Sequence, residues 1–179
     1  MREAARPKNR MLVIFGGLPG TGKSTLALRL AGETGAVYLR IDTIERAMTD
    51  AGADFSAGEL GYCVAYAVAE DNLRLGHTVI ADSVNPLEIT RKAWRNVAAR
   101  ASVDAVEIEV ACSDLTEHRS RVETREALVA VTWQEVEARR FDPWTSDHIR
   151  IDTAGRDIEQ SLAALWQVLP AGLRSQRFR

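Results

Sequence analysis

The feature that most constrains this chain is the segment Gly17-Leu18-Pro19-Gly20-Thr21-Gly22-Lys23-Ser24, which matches the pattern G-x-x-x-x-G-K-[ST]. It directly follows the apolar run MLVIF and precedes the amphipathic run TLALRLAGE. In a strand–loop–helix order of this kind, glycines let backbone N–H groups turn inward at the positive end of a helix. We therefore predict that this segment is a phosphate-binding loop.

Individual residues of the loop have separate predicted tasks. Lys23 is expected to reach the β- and γ-phosphates of a nucleotide, and Ser24 to ligate Mg²⁺. Thr25 follows directly, and packing of the helix is its simpler interpretation. The alternative, a glycine-rich turn with an incidental lysine, is weakened because the chain has only three lysines. The predicted nucleotide-binding positions are Gly17, Leu18, Pro19, Gly20, Thr21, Gly22, Lys23, Ser24 and Thr25.

The rest of the chain alternates short apolar runs with longer amphipathic stretches, which predicts an α/β fold. Strands separated by crossover helices cannot pair as hairpins, so we expect a parallel sheet covered on both faces, with ligands at its carboxyl edge. The predicted strands are Met11–Phe15, Val37–Ile41, Thr78–Ala81, Ala105–Ala111 and His148–Ile151. The predicted helices are at about 22–32, 43–51, 57–75, 86–101, 114–126, 133–140 and 157–168.

Several helix ends are also predicted from the sequence. Gly76 occupies a position typical of the glycine that follows a helix. Asn85 before Pro86 resembles an N-cap with proline at the first helical position. Thr132 with Glu135 fits a capping box.

Length and composition exclude several classes of protein. A chain of 179 residues is expected to form one domain, and no apolar run approaches the roughly 18 residues that span a bilayer. The net charge of −2 supplies no overall positive field for nucleic acid. Only two cysteines occur, Cys63 and Cys112, which favours a reducing compartment, and the N-terminal MREAARPKNR does not resemble a secretory signal. We predict a cytoplasmic protein that does not enter membranes.

Two carboxylates follow predicted strands. Asp42 ends the second strand, where it could accept a proton from a substrate hydroxyl, or could simply N-cap the next helix. Asp82 ends the third strand, TVIAD, where a carboxylate can hold Mg²⁺ directly or through water. The alternative for Asp82 is a turn or capping aspartate.

Basic and aromatic residues in the second half of the chain are weaker candidates. Arg121 and Arg125 lie four apart on one helix face, where their guanidinium groups could bind phosphate, although most surface arginines are merely solvated. Arg139 and Arg140 are further candidates, whereas Trp133 and Trp144 are interpreted as packing anchors. Tyr62 and Tyr66 could line a pocket for the acceptor, but packing beneath it is the favoured interpretation. Both cysteines are interpreted as small buried residues.

The segments GGLPGTGKST, RID, IADSVN and HRSRVETR together resemble P-loop kinases of the nucleoside-monophosphate-kinase-like superfamily. Within it, the chain looks most like the group that includes chloramphenicol phosphotransferase, zeta-toxin-like kinases and the kinase domain of polynucleotide kinase. The resemblance implies a three-layer α/β/α sandwich with a small lid and a five-stranded parallel sheet in the order 2-3-1-4-5. It also implies Asp42 as the base, Asp82 near Mg²⁺, and Arg121 or Arg125 as the lid arginine.

The resemblance covers residues 11–168, with a lid at about 121–147, an N-terminal extension at 1–10 and a C-terminal tail at 169–179. The expected function is an ATP- and Mg²⁺-dependent kinase that phosphorylates a hydroxyl of a small molecule. The alternatives are a polynucleotide 5′-hydroxyl kinase and a nucleotide-binding switch or slow ATPase.

Overall fold

The computed structural model describes residues 10–52, 59–124 and 130–177, which contain five strands and eight helices. The strands are β1 Met11–Gly16, β2 Val37–Arg40, β3 Val79–Asp82, β4 Asp104–Ala111 and β5 Ile149–Asp152. The helices are α1 Lys23–Thr34, α2 Ile41–Asp50, α3 Leu60–Leu75, α4 Glu88–Ala101, α5 Leu115–Thr124, α6 Trp133–Ala138, α7 Ile158–Val168 and α8 Ala171–Arg174. Among these residues, no helix combines the length and apolar character that a membrane span requires.

The five strands form one parallel sheet in the order β2-β3-β1-β4-β5, which confirms the predicted fold class and the implied strand order. The central strand β1 is buried along its whole length. Its Phe15 lies opposite Asp82 of β3, and Asp82 lies opposite Arg40 of β2. This register brings the ends of β1, β2 and β3 to one edge of the sheet, directly beside the phosphate-binding loop.

Alternate side chains of β1 enter two separate cores, as the period of two in a strand requires. Met11, Val13 and Phe15 pack with α1, α7 and α8 on one face of the sheet. Leu12 and Ile14 pack with α2, α3 and α4 on the other face. The three-layer arrangement follows from an apolar strand that is covered on both sides. Leu173 of α8, a helix that the sequence pattern does not predict, extends the first core beyond Val168.

The helix-end predictions have mixed outcomes. The capping box at Thr132 is present, and Gly76 follows α3 with a φ of 100°. The predicted N-cap at Asn85 is wrong, because α4 begins only at Glu88 and the Asn85 side chain instead donates to the Phe15 carbonyl oxygen at 2.8 Å. This bond ties the turn after β3 to the end of β1.

Candidate functional site

The loop between β1 and α1 requires glycine at two positions. One is the first fixed glycine of the motif, and the other stands at one of its variable positions. Gly17 and Gly20 have φ angles of 146° and 86°, in the region that favours glycine. A Cβ atom at Gly17 would lie 2.2 Å from the Val110 carbonyl oxygen, and one at Gly20 would lie 2.5 Å from Cγ2 of Val122. Both contacts are too short for any side chain, so the loop conformation depends on these glycines.

Side chains from three places hold the carbonyl oxygens of this loop. The Thr21 hydroxyl donates to Leu18 O at 2.9 Å, and the Thr153 hydroxyl donates to Thr21 O at 2.9 Å. His118 of α5 places Nε2 at 2.8 Å from Pro19 O, and Nε2 donates to this oxygen because a carbonyl oxygen can only accept. The loop is therefore ordered by the protein itself, which reduces the ordering cost of binding a phosphate.

His118 is a residue whose role was not predicted from the sequence. It is 4% exposed and lies edge-on to the Trp133 ring, with the ring centroids 5.2 Å apart. Trp133, Val122 and Val136 form a small apolar cluster against which Leu18 packs. Trp133 is therefore a packing residue, and α5 and α6 contact the phosphate-binding loop directly.

One cavity opens on the α1 side of the loop and is named here the α1–α7 cavity. It has a volume of about 370 Å³. Its lining residues are Gly20, Gly22, Thr25, Leu26, Arg121, Thr153, Arg156, Asp157, Ile158 and Ser161. Thr25 is exposed at this cavity, so its interpretation as a helix-packing residue is wrong. The cavity is a suitable place for the sugar and base of a nucleotide whose phosphates occupy the loop.

Arg121 lies at the α1–α7 cavity. Its guanidinium donates to Thr153 Oγ1 at 2.8 Å and to Thr153 O at 3.0 Å, and it forms an ion pair with Glu117. These contacts anchor α5 to the turn after β5. Arg125, the other predicted arginine, lies outside the described residues.

Asp82 is buried at the carboxyl end of β3, with 1% exposure. The Tyr38 hydroxyl donates to its Oδ2 at 2.7 Å, and Arg40 Nε lies 3.8 Å from the same oxygen. Burial, together with the charge of Asp82, holds the pKa of the Tyr38 phenol above its usual range, so Tyr38 stays a donor. Oδ1 of Asp82 is buried and has no hydrogen-bond partner within the part of the chain that the structure describes.

Asp42 lies in the first turn of α2, and its carboxylate accepts a hydrogen bond from Arg40 at 3.0 Å. The N-cap alternative for Asp42 is wrong, because β2 passes directly into α2 and the N-cap is Arg40. Burial lowers the pKa of Arg40, but the hydrogen bond to Asp42 and the charges of Asp42 and Asp82 raise it on balance. Arg40, which was not predicted, thus joins the two predicted carboxylates.

A second cavity of about 450 Å³ lies on the other face of the sheet and is named the α2–α3–α4 cavity. Its lining residues are Ile41, Asp42, Glu45, Glu59, Tyr62, Cys63, Tyr66, Val84, Pro86, Leu87, Ile89, Thr90, Ala93 and Arg139. Val84 also accepts a hydrogen bond from Gly17 N at 3.0 Å, so this cavity borders the phosphate-binding loop.

Three predictions can be compared with this cavity. Tyr62 and Tyr66 line it, although packing beneath it was the favoured interpretation. Cys63 is exposed and also lines it, which corrects its assignment as a buried residue, whereas Cys112 is buried as expected. Arg139 lines the cavity as well, and its guanidinium makes no hydrogen bond or ion pair with any residue in the described ranges.

Trp144 packs over the end of β1, as its interpretation as an anchor implies. A Cβ atom at Gly16 would lie 2.7 Å from Cζ2 of Trp144. The fully buried Arg91 of α4 stacks on the Trp144 ring at 4.5 Å and donates to the Asp142 carbonyl oxygen at 2.6 Å. Arg140 pairs with Asp142 at 2.9 Å, so it helps to hold this segment.

The chain has a parallel 2-3-1-4-5 sheet, a glycine-dependent loop between β1 and α1, and carboxylates at the ends of β2 and β3. Together these features define the P-loop fold of nucleoside-monophosphate-kinase-like proteins. Comparison with known families places the chain more narrowly. It belongs to the AAA domain family AAA_33, whose family model matches residues 12–145.

The curated relatives that the chain matches are longer proteins. The chain is 31% identical over 160 residues to an uncharacterized protein of Mycobacterium tuberculosis, in a match that covers 80% of this chain and 32% of that protein. The chain therefore spans less than half the length of the curated relatives it matches.

Two solved structures of nucleotide-bound proteins have the same architecture. One is the Mycobacterium tuberculosis APS kinase CysC in complex with AMPPNP and APS, with a TM-score of 0.67 and 22% identity over 89% of this chain and 97% of that chain. Another is Kti12 of Chaetomium thermophilum in complex with ADP-AlF3, with a TM-score of 0.65 and 21% identity over 89% of this chain and 100% of that chain. At these identities the likeness concerns the fold, which is that of nucleotide-binding P-loop proteins.

Proposed function

We propose that this protein is an ATP- and Mg²⁺-dependent kinase that transfers the γ-phosphate to a hydroxyl of a small molecule. The observation that carries the proposal is the position of the phosphate-binding loop between two cavities. Gly20 and Gly22 line the α1–α7 cavity, and Gly17 is bonded to Val84 of the α2–α3–α4 cavity. A nucleotide in the first cavity would present its terminal phosphate towards an acceptor in the second.

The loop and the carboxylate at the second cavity have distinct roles in this reaction. Lys23, which is 7% exposed at the start of α1, neutralises charge on the β- and γ-phosphates. Asp42 lines the acceptor cavity and takes the proton of the acceptor hydroxyl. The acceptor oxygen forms the new bond to phosphorus, and the bond to the bridging oxygen breaks, with its electron pair leaving on ADP.

Ser24 and Asp82 are the residues proposed to hold Mg²⁺, which would neutralise charge on the phosphate oxygens during transfer. The chemistry around Asp82 fits a divalent cation, because a buried carboxylate oxygen without a protein partner is costly unless something else binds it. Tyr38 and Arg40 contact only the other oxygen, Oδ2. They orient the carboxylate and leave Oδ1 to a water or to the cation.

Arg121 is proposed to contact the nucleotide in the α1–α7 cavity, where it lies beside the loop glycines. Its bonds to Thr153 hold the guanidinium in place before binding. Arg125 remains a proposal from the sequence motif alone. The cytoplasmic location likewise remains a prediction from the two cysteines.

A polynucleotide 5′-hydroxyl kinase is the first alternative, and the contacts of four arginines on α2 and α4 argue against it. Arg46 pairs with Asp50 at 2.9 Å, and Arg100 pairs with Glu70 at 2.7 Å. Arg91 is fully buried. Arg95 is paired with two glutamates. Guanidinium groups that are already neutralised or buried provide little attraction for a phosphate backbone.

The second alternative is a nucleotide-binding switch. Because α5 and α6 contact the loop, these contacts would transmit a nucleotide-dependent change from the loop to the two helices. Acceptor dependence separates it from a kinase. We expect ADP release to rise when a panel of hydroxyl compounds is added, with a phosphorylated product detected by mass spectrometry. Release that is constant across the panel would favour the switch or a slow ATPase. Stimulation by a 5′-hydroxyl oligonucleotide, with a steep salt dependence, would favour the polynucleotide kinase.

Asp82→Asn is expected to raise the Mg²⁺ concentration needed for nucleotide binding by about tenfold or more, the effect usual for losing a group that orders a metal site. The amide keeps an oxygen that can accept from Tyr38, so the fold should be retained. Titration calorimetry of ADP at several Mg²⁺ concentrations measures this directly. An unchanged Mg²⁺ dependence would make Asp82 a structural residue.

A further inference from the structure

The α2–α3–α4 cavity has the size and the apolar walls of a site for a small organic molecule. Its volume of about 450 Å³ lies within the ordinary range of ligand pockets. Its apolar lining residues come from α2, from the connection between β3 and α4, and from α4, and include Ile41, Val84, Leu87 and Ile89. An acceptor that fills this space would therefore carry an apolar or aromatic body in addition to its hydroxyl.

The charged groups of the cavity are mainly acidic. In the part of the chain that the structure describes, Asp42, Glu45 and Glu59 line it, against one guanidinium, that of Arg139. Arg40 is already engaged by Asp42. An acceptor that bears a phosphate or carboxylate would meet like charges here, and among the described residues the lining contains no lysine and only one arginine to bind it.

Glu45 is a carboxylate of the cavity that is available to a ligand. It lies one helical turn after Asp42, and a Cβ atom at Gly61 would lie 2.4 Å from its Cγ, so the glycine on α3 makes room for the Glu45 side chain. In the described ranges, no residue forms a hydrogen bond or ion pair with the Glu45 carboxylate. Burial and the neighbouring charge of Asp42 raise its pKa, and a bound cation would oppose this shift because it stabilises the ionised carboxylate.

Two aromatic rings in the cavity add a second attraction for a cation. Tyr62 and Tyr66 lie with their ring centroids 6.0 Å apart on the α3 side of the cavity. The Tyr66 hydroxyl donates to Thr90 O at 3.2 Å, which fixes its ring. Aromatic faces attract ammonium groups electrostatically, and more strongly when water is excluded.

We infer that the acceptor is an amino alcohol, with an apolar body, a hydroxyl that reaches Asp42 and a protonated amine that pairs with Glu45. The inference rests on the proposed kinase activity and names its substrate class. It makes Glu45 a specificity-determining residue that contacts the acceptor at a distance from the transferred group.

Three probes with the same aromatic alcohol skeleton test the inference by calorimetry in the presence of ADP and Mg²⁺. They are phenylethanolamine, which is cationic, its neutral N-acetyl derivative, and mandelate, which is anionic. We expect the amine to bind about tenfold more tightly than its N-acetyl derivative, as one partly desolvated charge pair allows, and mandelate to bind most weakly. Equal affinities, a preference for mandelate or no binding of any probe would overturn the inference.

Glu45→Gln should reduce the preference for the amine to about twofold or less, because the amide keeps the shape and loses the charge. Asp50→Asn is the matched control: it removes a carboxylate from the same helix, but Asp50 is exposed and pairs with Arg46 outside the cavity. The preference should survive in this variant. Its loss in Asp50→Asn as well would show a general charge effect and contradict the role of Glu45.

The proposed kinase activity is tested separately by ADP release. If neutral or anionic hydroxyl compounds stimulate release and amino alcohols do not, the kinase assignment stands and the amino-alcohol class is wrong. If no hydroxyl compound of any charge stimulates release, the kinase assignment itself fails.

Discussion

Lys23→Ala is expected to lower phosphoryl transfer by about 10³-fold or more, because the variant lacks the charge that neutralises the β- and γ-phosphates. Lys23 is a buried residue at the first position of α1, directly after Gly22 with its φ of 87°. Few other groups in the loop can supply the positive charge that Lys23 provides to the β- and γ-phosphates. Nucleotide affinity should fall as well, which fluorescence titration with a labelled ATP analogue would measure beside the ADP-release assay.

Lys92→Ala is the matched control for this variant. Lys92 is an exposed lysine on α4, and its replacement removes the same charge away from the loop. Activity and nucleotide binding should be unchanged in the control, and thermal melting should show that both variants fold. Near-normal turnover of Lys23→Ala would contradict the kinase and the ATPase interpretations together, while leaving the fold assignment intact.

Asp42→Asn is expected to lower acceptor-dependent transfer by about 10²–10⁴-fold, the usual contribution of a general base. The asparagine side chain can still accept the hydrogen bond from Arg40, which Asp42 accepts at 3.0 Å. It cannot take the acceptor proton at neutral pH. Because phosphoryl-transfer transition states are loose and need little proton abstraction, we expect the lower part of this range.

The stability cost of Asp42→Asn should be small. Asp42 is in the first turn of α2 and not at its N-cap, so the variant loses the favourable charge near a helix N-terminus, about 0.3–1 kcal/mol. It also loses the charge of the partly exposed ion pair with Arg40, which is worth about 1 kcal/mol or less. ATP affinity should stay near that of the unchanged protein, because the loop is untouched. Transfer within a few-fold of the original rate, measured with an acceptor that the panel identifies, would remove Asp42 from the base role.

The sequence alone was sufficient for most of the fold because its patterns are local. The apolar run MLVIF, the loop motif and the following amphipathic helix together specify β1, the phosphate-binding loop and α1. Alternation of strands and helices then requires parallel pairing. The order of the strands came from the resemblance to P-loop kinases, since periodicity carries no information on which strands are neighbours.

Local patterns were less reliable where a turn competes with a helix. Asn85-Pro86 has the composition of a helix start, but α4 begins at Glu88 because the Asn85 side chain is engaged by Phe15 O across the sheet edge. Asp42 was also considered as a cap, and the direct passage from β2 into α2 excludes this. At Asn85 a contact distant in sequence decided the local structure.

The residues of the candidate site also fall into two groups, those that the sequence could identify and those that it could not. Lys23, Asp42 and Asp82 could be selected from the sequence because each directly follows a strand or completes a motif. Arg40 and Glu45 could not be selected, because their importance depends on which charges surround them after folding: Arg40 lies between two carboxylates, and Glu45 lies over a glycine of another helix. The spacing of residues in a sequence predicts which side chains are neighbours within one helix or strand. It does not predict which side chains meet between two elements.

The sequence by itself determined the phosphate-binding loop, the α/β class and the strand ends that carry carboxylates, since these depend on residue type and short-range periodicity. Only the tertiary structure decided that His118 holds Pro19, that Tyr38 orients Asp82, and that three helices enclose an acidic cavity. These contacts join residues up to 99 positions apart. They arise when helices pack on a twisted sheet, and the geometry of that packing depends on the whole core.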